Sequence, residues 1–157
     1  MLIVAVLVAT PLVLYAASDS ASLVGTATVI DGDTIEMRGQ RIRLNAIDAP
    51  EGGQRCLDKD GKPYRCGRKA AFALADRIGR GTVKCRPKGV DRYDRIIATC
   101  FQDGVNLNGW MVREGWAVAF RKYGIDYIRE ENEARANRRG LWSGSFDMPW
   151  DWRAAQQ

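Results

Sequence analysis

Between Asp31 and Glu51 the chain reads DGDTIEMRGQRIRLNAIDAPE, and Asp31, Asp33, Arg43, Asp48 and Glu51 gather there among residues that otherwise read as two strands. Carboxylates this close in sequence repel one another in a folded site unless a cation sits among them, and Asp and Glu oxygens suit a hard ion such as Ca2+ or Mg2+. An arginine in their midst suits an anionic substrate. A metal ion and an arginine facing one anion are what phosphoryl transfer uses, since that chemistry rests on positioning and on stabilising charge at phosphorus. Alone, the run reads equally well as an Asp-Gly turn and the wet face of a hairpin. Motifs further along the chain favour the chemistry.

Two features of composition narrow the mechanism. The chain has no histidine, which excludes a Ser-His triad, a His-metal nuclease and a His-pair ribonuclease. A general base must come from Glu, Asp or metal-bound hydroxide. The net charge is +5, and the uncharged leader contributes none of it, so the folded part is basic and suited to a polyanion.

At 157 residues and 46% hydrophobic content the chain can bury one core, and length argues against a second domain. Residues 2–17, LIVAVLVATPLVLYAA, carry no charge and precede the small polar run SDSAS. Residues 1–18 therefore read as a secretory signal peptide, although no basic residue follows Met1. The alternative is an uncleaved membrane anchor, but 16 apolar residues interrupted by Pro11 fall short of the ~20 that a span needs.

Export makes disulfides the expected state of Cys56, Cys66, Cys85 and Cys100. Zinc is the competing reading, but no CxxC spacing or histidine supports it. Of the three possible pairings, the local one is expected. Cys56 and Cys66 flank a polar loop, while Cys85 and Cys100 flank a basic turn and end strand-like runs.

The elements that must position the acids can be read in outline. Residues 25–37 are rich in β-branched types with Gly32 at a bend. Residues 38–40 form a hairpin turn, and RIRLNAI alternates with Ile42, Leu44 and Ala46 on one face and Arg41, Arg43 and Asn45 on the other. Strict alternation sets Arg43 and Asp48 on opposite faces, so the strand must turn near Ile47 for both to reach one site. Residues 52–66 read as an exposed flap. Ala71, Leu74, Ala75 and Ile78 then fit an amphipathic helix ended by Gly79–Gly81. Residues 82–85 and 95–101 read as strands around a basic turn. Asn106 caps a helix presenting Leu107, Trp110 and Met111, followed by an extended segment to Phe120. A final helix is expected over 126–140 as a polar surface helix. The tail 144–157, with Trp150 and Trp152, is expected to pack over the end of the sheet. Few short strands and interspersed helices indicate α+β with a small closed sheet.

DGDT at 31–34, RIRLNAIDAPE at 41–51 and DRYDR at 91–95, in that order, resemble the thermonuclease family, the staphylococcal nuclease-like phosphodiesterases. The resemblance runs from about Thr26 to Trp142 and implies a nuclease domain over 24–143. The implied fold is a five-stranded OB-fold barrel with about three helices, an architecture that binds nucleic acid on its face. The implied activity is that of a Ca2+-dependent endonuclease, hydrolysing DNA and RNA and leaving 3′-phosphate ends.

Residue by residue, the resemblance makes Asp33 and Asp48 direct Ca2+ ligands, with Asp31 in support. Ala49 stands where the founding member has Thr and keeps the backbone carbonyl that serves as ligand. Glu51 matches the carboxylate that positions or deprotonates the attacking water, and Arg43 and Arg95 match the two arginines on the scissile phosphate. Arg92 and Tyr93 match the contacts to a terminal phosphate, and Phe120 and Tyr123 resemble the aromatic pair of the base groove. Asp94 replaces the family's Gly. The implied protein is secreted or periplasmic, or anchored if the leader is retained. It is a monomer with a nucleic acid substrate, no small-molecule cofactor and no obligate protein partner. The alternative is a binding module: some relatives keep the barrel, lose catalytic residues and bind nucleic acid or protein. Such modules lack several of the acids and arginines that this chain keeps together.

Overall fold

The β-branched run near the start of the fold forms three strands, β1 (Leu23–Gly25), β2 (Thr28–Asp31) and β3 (Thr34–Met37), in a computed structural model that describes residues 22–157. The expected leader, 1–18, lies outside the described residues. Arg38 and Gly39 take positive φ of 54° and 78°, the two-residue hairpin geometry that suits strand twist. They lead into β4 (Gln40–Leu44), with Met37 opposite Gln40. Further on, β8 (Val83–Val90), β9 (Ile96–Gln102) and β10 (Val105–Asn106) complete a seven-stranded sheet. The strand order is β1-β8-β9-β4-β3-β2, with β10 beside β9. Among the described residues only β4 and β9 run parallel, Ile42 facing Ile96 and Arg43 facing Ile97. Two small pairs lie apart, β5 (Ile47–Asp48) with β11 (Val118–Ala119), and β6 (Cys56–Leu57) with β7 (Pro63–Tyr64).

The α+β class is as expected, but the closed five-stranded barrel is not what forms. The break after Gly25 sends β1 to pair with β8 while β2 pairs with β3. These two strands end the pairing path and do not close it. The basic segment at 86–90, expected as turn, belongs to β8. Its Pro87 and Gly89 are absorbed by a bulge, and β1 pairs only with residues 83–85, so Pro87 sits where no second neighbour needs its missing N–H.

The described residues form four α-helices against the expected three or so: α1 (Cys66–Ile78), α2 (Leu107–Arg113), α3 (Ile128–Ala136) and α4 (Pro149–Ala155), with a 3-10 turn at Gly140–Ser143. Among the described residues no helix is long and apolar enough to cross a membrane. The buried side of α1 is Cys66, Gly67, Ala70, Leu74 and Ile78, rotated from the expected stripe. A side chain at Gly67 would collide with the carbonyl of Glu51, so the helix can approach that strand end only through glycine. Asn106 caps α2 as expected, accepting from Gly109 N at 3.1 Å. The expected final helix is shorter, because Arg138 and Gly140 take positive φ.

The main core joins the sheet to α1 and α2 through Ile35, Ile42, Leu44, Leu74, Leu107 and Met111. A smaller cluster buries Cys56, Cys66, Val118 and Leu141 beneath Trp142, Phe146, Met148 and Trp150, so the tail packs on the fold as expected. Both expected disulfides, Cys56–Cys66 and Cys85–Cys100, are present. No cysteine among the described residues is left for zinc.

Candidate active site

The bend between β2 and β3 sets the first acids. Asp31 accepts the N–H of Asp33 at 3.0 Å, a local turn that aims the next carboxylate inward. A Cβ added at Gly32 would lie 2.7 Å from that of Ala49 and 2.9 Å from that of Ala70. Glycine is therefore needed to bring this bend against both β5 and α1. Asp33 is buried; its Oδ2 accepts from Ala49 N at 2.7 Å and forms an ion pair with Arg43 Nη1 at 2.8 Å. Burial, with Asp31 and Asp48 nearby, pushes the Asp33 carboxyl up to about 7 against the pull of Arg43 and the Ala49 N–H.

The strand turns as the alternation requires, at Asn45–Ala46, where Ala46 takes φ 59°. That turn brings Asp48 round to Arg43, whose Nη2 reaches Asp48 Oδ1 at 3.1 Å. Asp48 is fully buried at 0% exposure, so its charge has to be matched within the fold. The turn has a support that the motifs do not reveal. Buried Asn108 of α2 donates to Asn45 O at 3.0 Å and Ala98 O at 3.2 Å, and accepts from Cys100 N at 3.0 Å. Its signal in the sequence is only a polar residue beside the apolar face of α2.

A second unforeseen support is Glu131 of α3, buried at 1% exposure. It accepts from Ala119 N at 3.1 Å and from Arg121 at 2.9 Å, with Arg135 at 3.4 Å. It thus fixes β11, which carries β5 and Asp48. Nothing in the polar run around Glu131 distinguishes it from solvated charge.

The third is Arg153 of α4. Its Nη2 lies 2.8 Å from Asp48 Oδ2, and its Nη1 reaches Asp48 Oδ1 at 3.1 Å and Glu51 Oε1 at 2.8 Å. These hydrogen bonds, Asp48 first, hold the Arg153 guanidinium more firmly protonated than usual despite its partial burial. Gln54 ties the same region together: its Oε1 accepts from Glu51 N at 3.2 Å and its Nε2 donates to Asp147 O at 2.8 Å.

Asp33, Arg43, Asp48 and Glu51 are therefore brought together, with Ala49 and Asp31 adjoining. Arg95 is held elsewhere. In the 91–95 turn Asp91 accepts from Tyr93 N at 2.9 Å, Arg95 N at 3.1 Å and Arg95 Nε at 2.8 Å. These donors hold the Asp91 carboxyl below its usual range although burial opposes them. Asp94 takes φ 63°, a left-handed conformation that Gly adopts freely and Asp tolerates. Tyr93 is 65% exposed and lies beneath the guanidinium groups of Arg92 and Arg95 at 5.0 and 5.5 Å. The turn leans on the active hairpin through Gln40 Nε2 and Asp94 O at 3.3 Å. Register across β4 and β9 puts residues 95 and 97 on the sheet face shared by Arg41 and Arg43.

Phe120 and Tyr123 meet edge to face at 5.0 Å. Trp150 of α4 stacks on Phe120 at 5.2 Å and 8° between planes. Phe120 N donates to Ala46 O at 2.9 Å, so this aromatic row starts at the turn that carries Asp48.

The carboxylates and the Ala49 carbonyl offer oxygen donors alone, the chemistry of a hard-cation site. Among the described residues no three His, Cys, Asp or Glu side chains converge closely enough to hold a metal ion. Arginine nitrogens occupy the carboxylate oxygens instead. The donor set fits such an ion in kind.

Residues 41–144 match the family model for staphylococcal nuclease homologues. The succinoglycan biosynthesis protein ExoI of Rhizobium meliloti is 42% identical over 124 residues, covering 76% of this chain and 64% of that protein. The micrococcal nuclease of Shigella flexneri is 36% identical over 147 residues, 82% of this chain and 79% of the other. An uncharacterized endonuclease of Escherichia coli is 38% identical over 133 residues, 80% of each.

Proposed function

This chain belongs to the staphylococcal nuclease homologue family, and from that premise we propose that it is an exported Ca2+-dependent endonuclease of DNA and RNA. The observation that carries the reading is one half-buried arginine, Arg43, held between two buried acids, Asp33 and Asp48, with Glu51 joined to Asp48 through Arg153. An isolated structural ion pair needs one carboxylate per guanidinium. Four acids, Asp31, Asp33, Asp48 and Glu51, around two arginines, Arg43 and Arg153, leave surplus carboxylate oxygens for a metal ion and a guanidinium for phosphate.

In this mechanism Asp33, Asp48 and the Ala49 carbonyl hold Ca2+, with Asp31 in support. The bound ion supplies positive charge beside the phosphate. Glu51, in a chain without histidine, accepts a proton from the water that attacks phosphorus. The new P–O bond forms as the P–O5′ bond breaks, leaving the 3′-phosphate on the upstream fragment, while the departing 5′ oxygen takes a proton from solvent and becomes the 5′-hydroxyl of the downstream fragment. Arg43 donates two parallel N–H bonds to phosphate oxygens, which strengthen as charge grows in the transition state. Arg95 joins it by exchanging Asp91 for phosphate. Arg92 and Tyr93 meet the neighbouring phosphate, and Phe120 and Tyr123 stack on bases.

The leader at 1–18 and the two disulfides support export to an oxidising compartment. The nuclease domain spans 24–143, and the 144–157 tail adds α4. The protein acts as a monomer without an obligate protein partner. The test is hydrolysis of single-stranded DNA and RNA by the chain from residue 19 onward, with Ca2+ and then with chelator. Cleavage with Ca2+ and none in chelator is expected, with Ca2+ affinity on the order of 10⁻⁴ to 10⁻³ M. Full activity in chelator would refute the metal role. Binding of nucleic acid without cleavage under any condition would make the chain a binding module.

A further inference from the structure

Resting on the metal-dependent reading above, we propose that Arg153 is a tethered cation which competes with the divalent ion for Asp48 and Glu51, making α4 an autoinhibitory latch. Asp48 has no exposed surface, and three guanidinium N–H groups take its oxygens, one from Arg43 and two from Arg153. A carboxylate has about four lone-pair positions, so little of Asp48 is left for coordination. The same Arg153 nitrogen that reaches Asp48 Oδ1 also reaches Glu51 Oε1 at 2.8 Å. One side chain therefore occupies a metal ligand and the general base together, and its positive charge stands where an ion would have to enter.

The start of α4 is its anchored end: Pro149 is buried, Trp150 stacks on Phe120, and Asp147 O is tied to Gln54. Beyond Arg153, residues 154–157 are exposed. Side-chain hydrogen bonding from the second half of the helix to the domain thus runs through Arg153 alone among the described residues. When Arg153 leaves, Asp48 regains free lone pairs and Glu51 a free carboxylate, while the aromatic contact holds the helix nearby.

The arrangement has a thermodynamic consequence. If only the unlatched state accepts the ion, apparent affinity is reduced by the fraction of molecules unlatched. Removing Arg153 removes that reduction. Ca2+ affinity of the chain from residue 19 onward is to be measured calorimetrically for wild type, Arg153→Gln and Arg153→Lys. Amide exchange of residues 149–155 is followed with and without Ca2+ in the wild type. Arg153→Gln should bind Ca2+ about tenfold or more tightly, Arg153→Lys should fall between, and Ca2+ should speed exchange in α4. Arg153→Lys keeps a cation beside buried Asp48, so its affinity remains informative if Arg153→Gln does not fold.

Unchanged or weaker Ca2+ affinity on removing Arg153, or an α4 whose exchange Ca2+ leaves unchanged or slows, overturns the latch. The second pattern would make Arg153 a third phosphate-binding arginine or a structural staple. If wild type cleaves with Ca2+ and these results are found, the latch alone fails. If neither wild type nor the variants bind Ca2+, the metal-dependent reading and the latch fail together.

Discussion

Arg43 and Asp48 are five residues apart in sequence and meet at 3.1 Å, although continued strand alternation would have sent them to opposite faces. The Asn45–Ala46 turn makes the contact. It leaves Arg43 between Asp33 and Asp48 with its second nitrogen 2.8 Å from Asp33. A guanidinium braced by two buried acids is fixed in orientation, which is what recognition of phosphate oxygens in a transition state requires.

Replacing Arg43 with Lys keeps the charge and loses the paired donors. Single-turnover cleavage of DNA should fall roughly 10²-fold or more, the scale of losing a transition-state donor. Affinity for uncleaved DNA should change far less, and cleavage at the wild-type rate would remove Arg43 from the mechanism.

Glu51→Gln should also suppress turnover, since the amide cannot take a proton from water. Calorimetric Ca2+ binding should survive, because Asp33 and Asp48 are the assigned side-chain ligands. Loss of Ca2+ binding along with activity would instead move Glu51 into the ligand set.

Stability should depend on pH through Asp33. Its folded pKa of about 7 lies above the ordinary 3.8, so between those values the folded chain holds a proton that the unfolded chain has released. With more protons bound in the folded state, the stability contribution is full below about pH 4 and is lost as pH rises to about 7. Urea melts of the metal-free protein should therefore show this group opposing stability as pH rises. Asp33→Asn should remove that component, and an identical pH dependence in the variant would refute the assignment.

Asn108→Ala should destabilise the fold by about 2 kcal/mol or more, since it removes the side-chain partner of the Asn45 carbonyl and the Cys100 N–H, while the Ala98 carbonyl keeps the Asn45 N–H. Because Asn45 forms the turn that carries Asp48, Ca2+ affinity should weaken as well. Thermal melts and calorimetry check the two effects separately, and a fully stable variant with normal affinity would show the turn to be held by other contacts.

What the sequence carries and what it hides follow from distance along the chain. Asp33, Arg43, Asp48 and Glu51 are legible because one hairpin and one turn bring them together, and local patterns encode both. Asn106 as a cap and the local disulfide pairing are legible for the same reason. Pro87 and Gly89 mislead, since these turn-forming residues are accommodated by a bulge where β8 has lost its second neighbour. The stripe of α1 is blurred by alanines at 70, 71, 73 and 75, too small and too frequent to mark one side. Glu131 and Arg153 are invisible because the Ala119 N–H that Glu131 holds and the Asp48 carboxylate that Arg153 holds lie 12 and 105 residues away, and an i,i+4 pair such as Glu131 with Arg135 looks the same on a solvated helix. The seven-residue α4 makes only about two turns, too little length for a helical pattern to stand out.

The pairing of Asp48 with Arg153 also gives the site an order in time. A ribosome working at ~5–20 residues per second needs roughly 5–20 s to make the 105 residues that separate them. Throughout that interval Arg43, from a strand made just before it, is the counter-charge available to Asp48. The second guanidinium becomes available only after the sheet, the first three helices and both cysteine pairs have been synthesised.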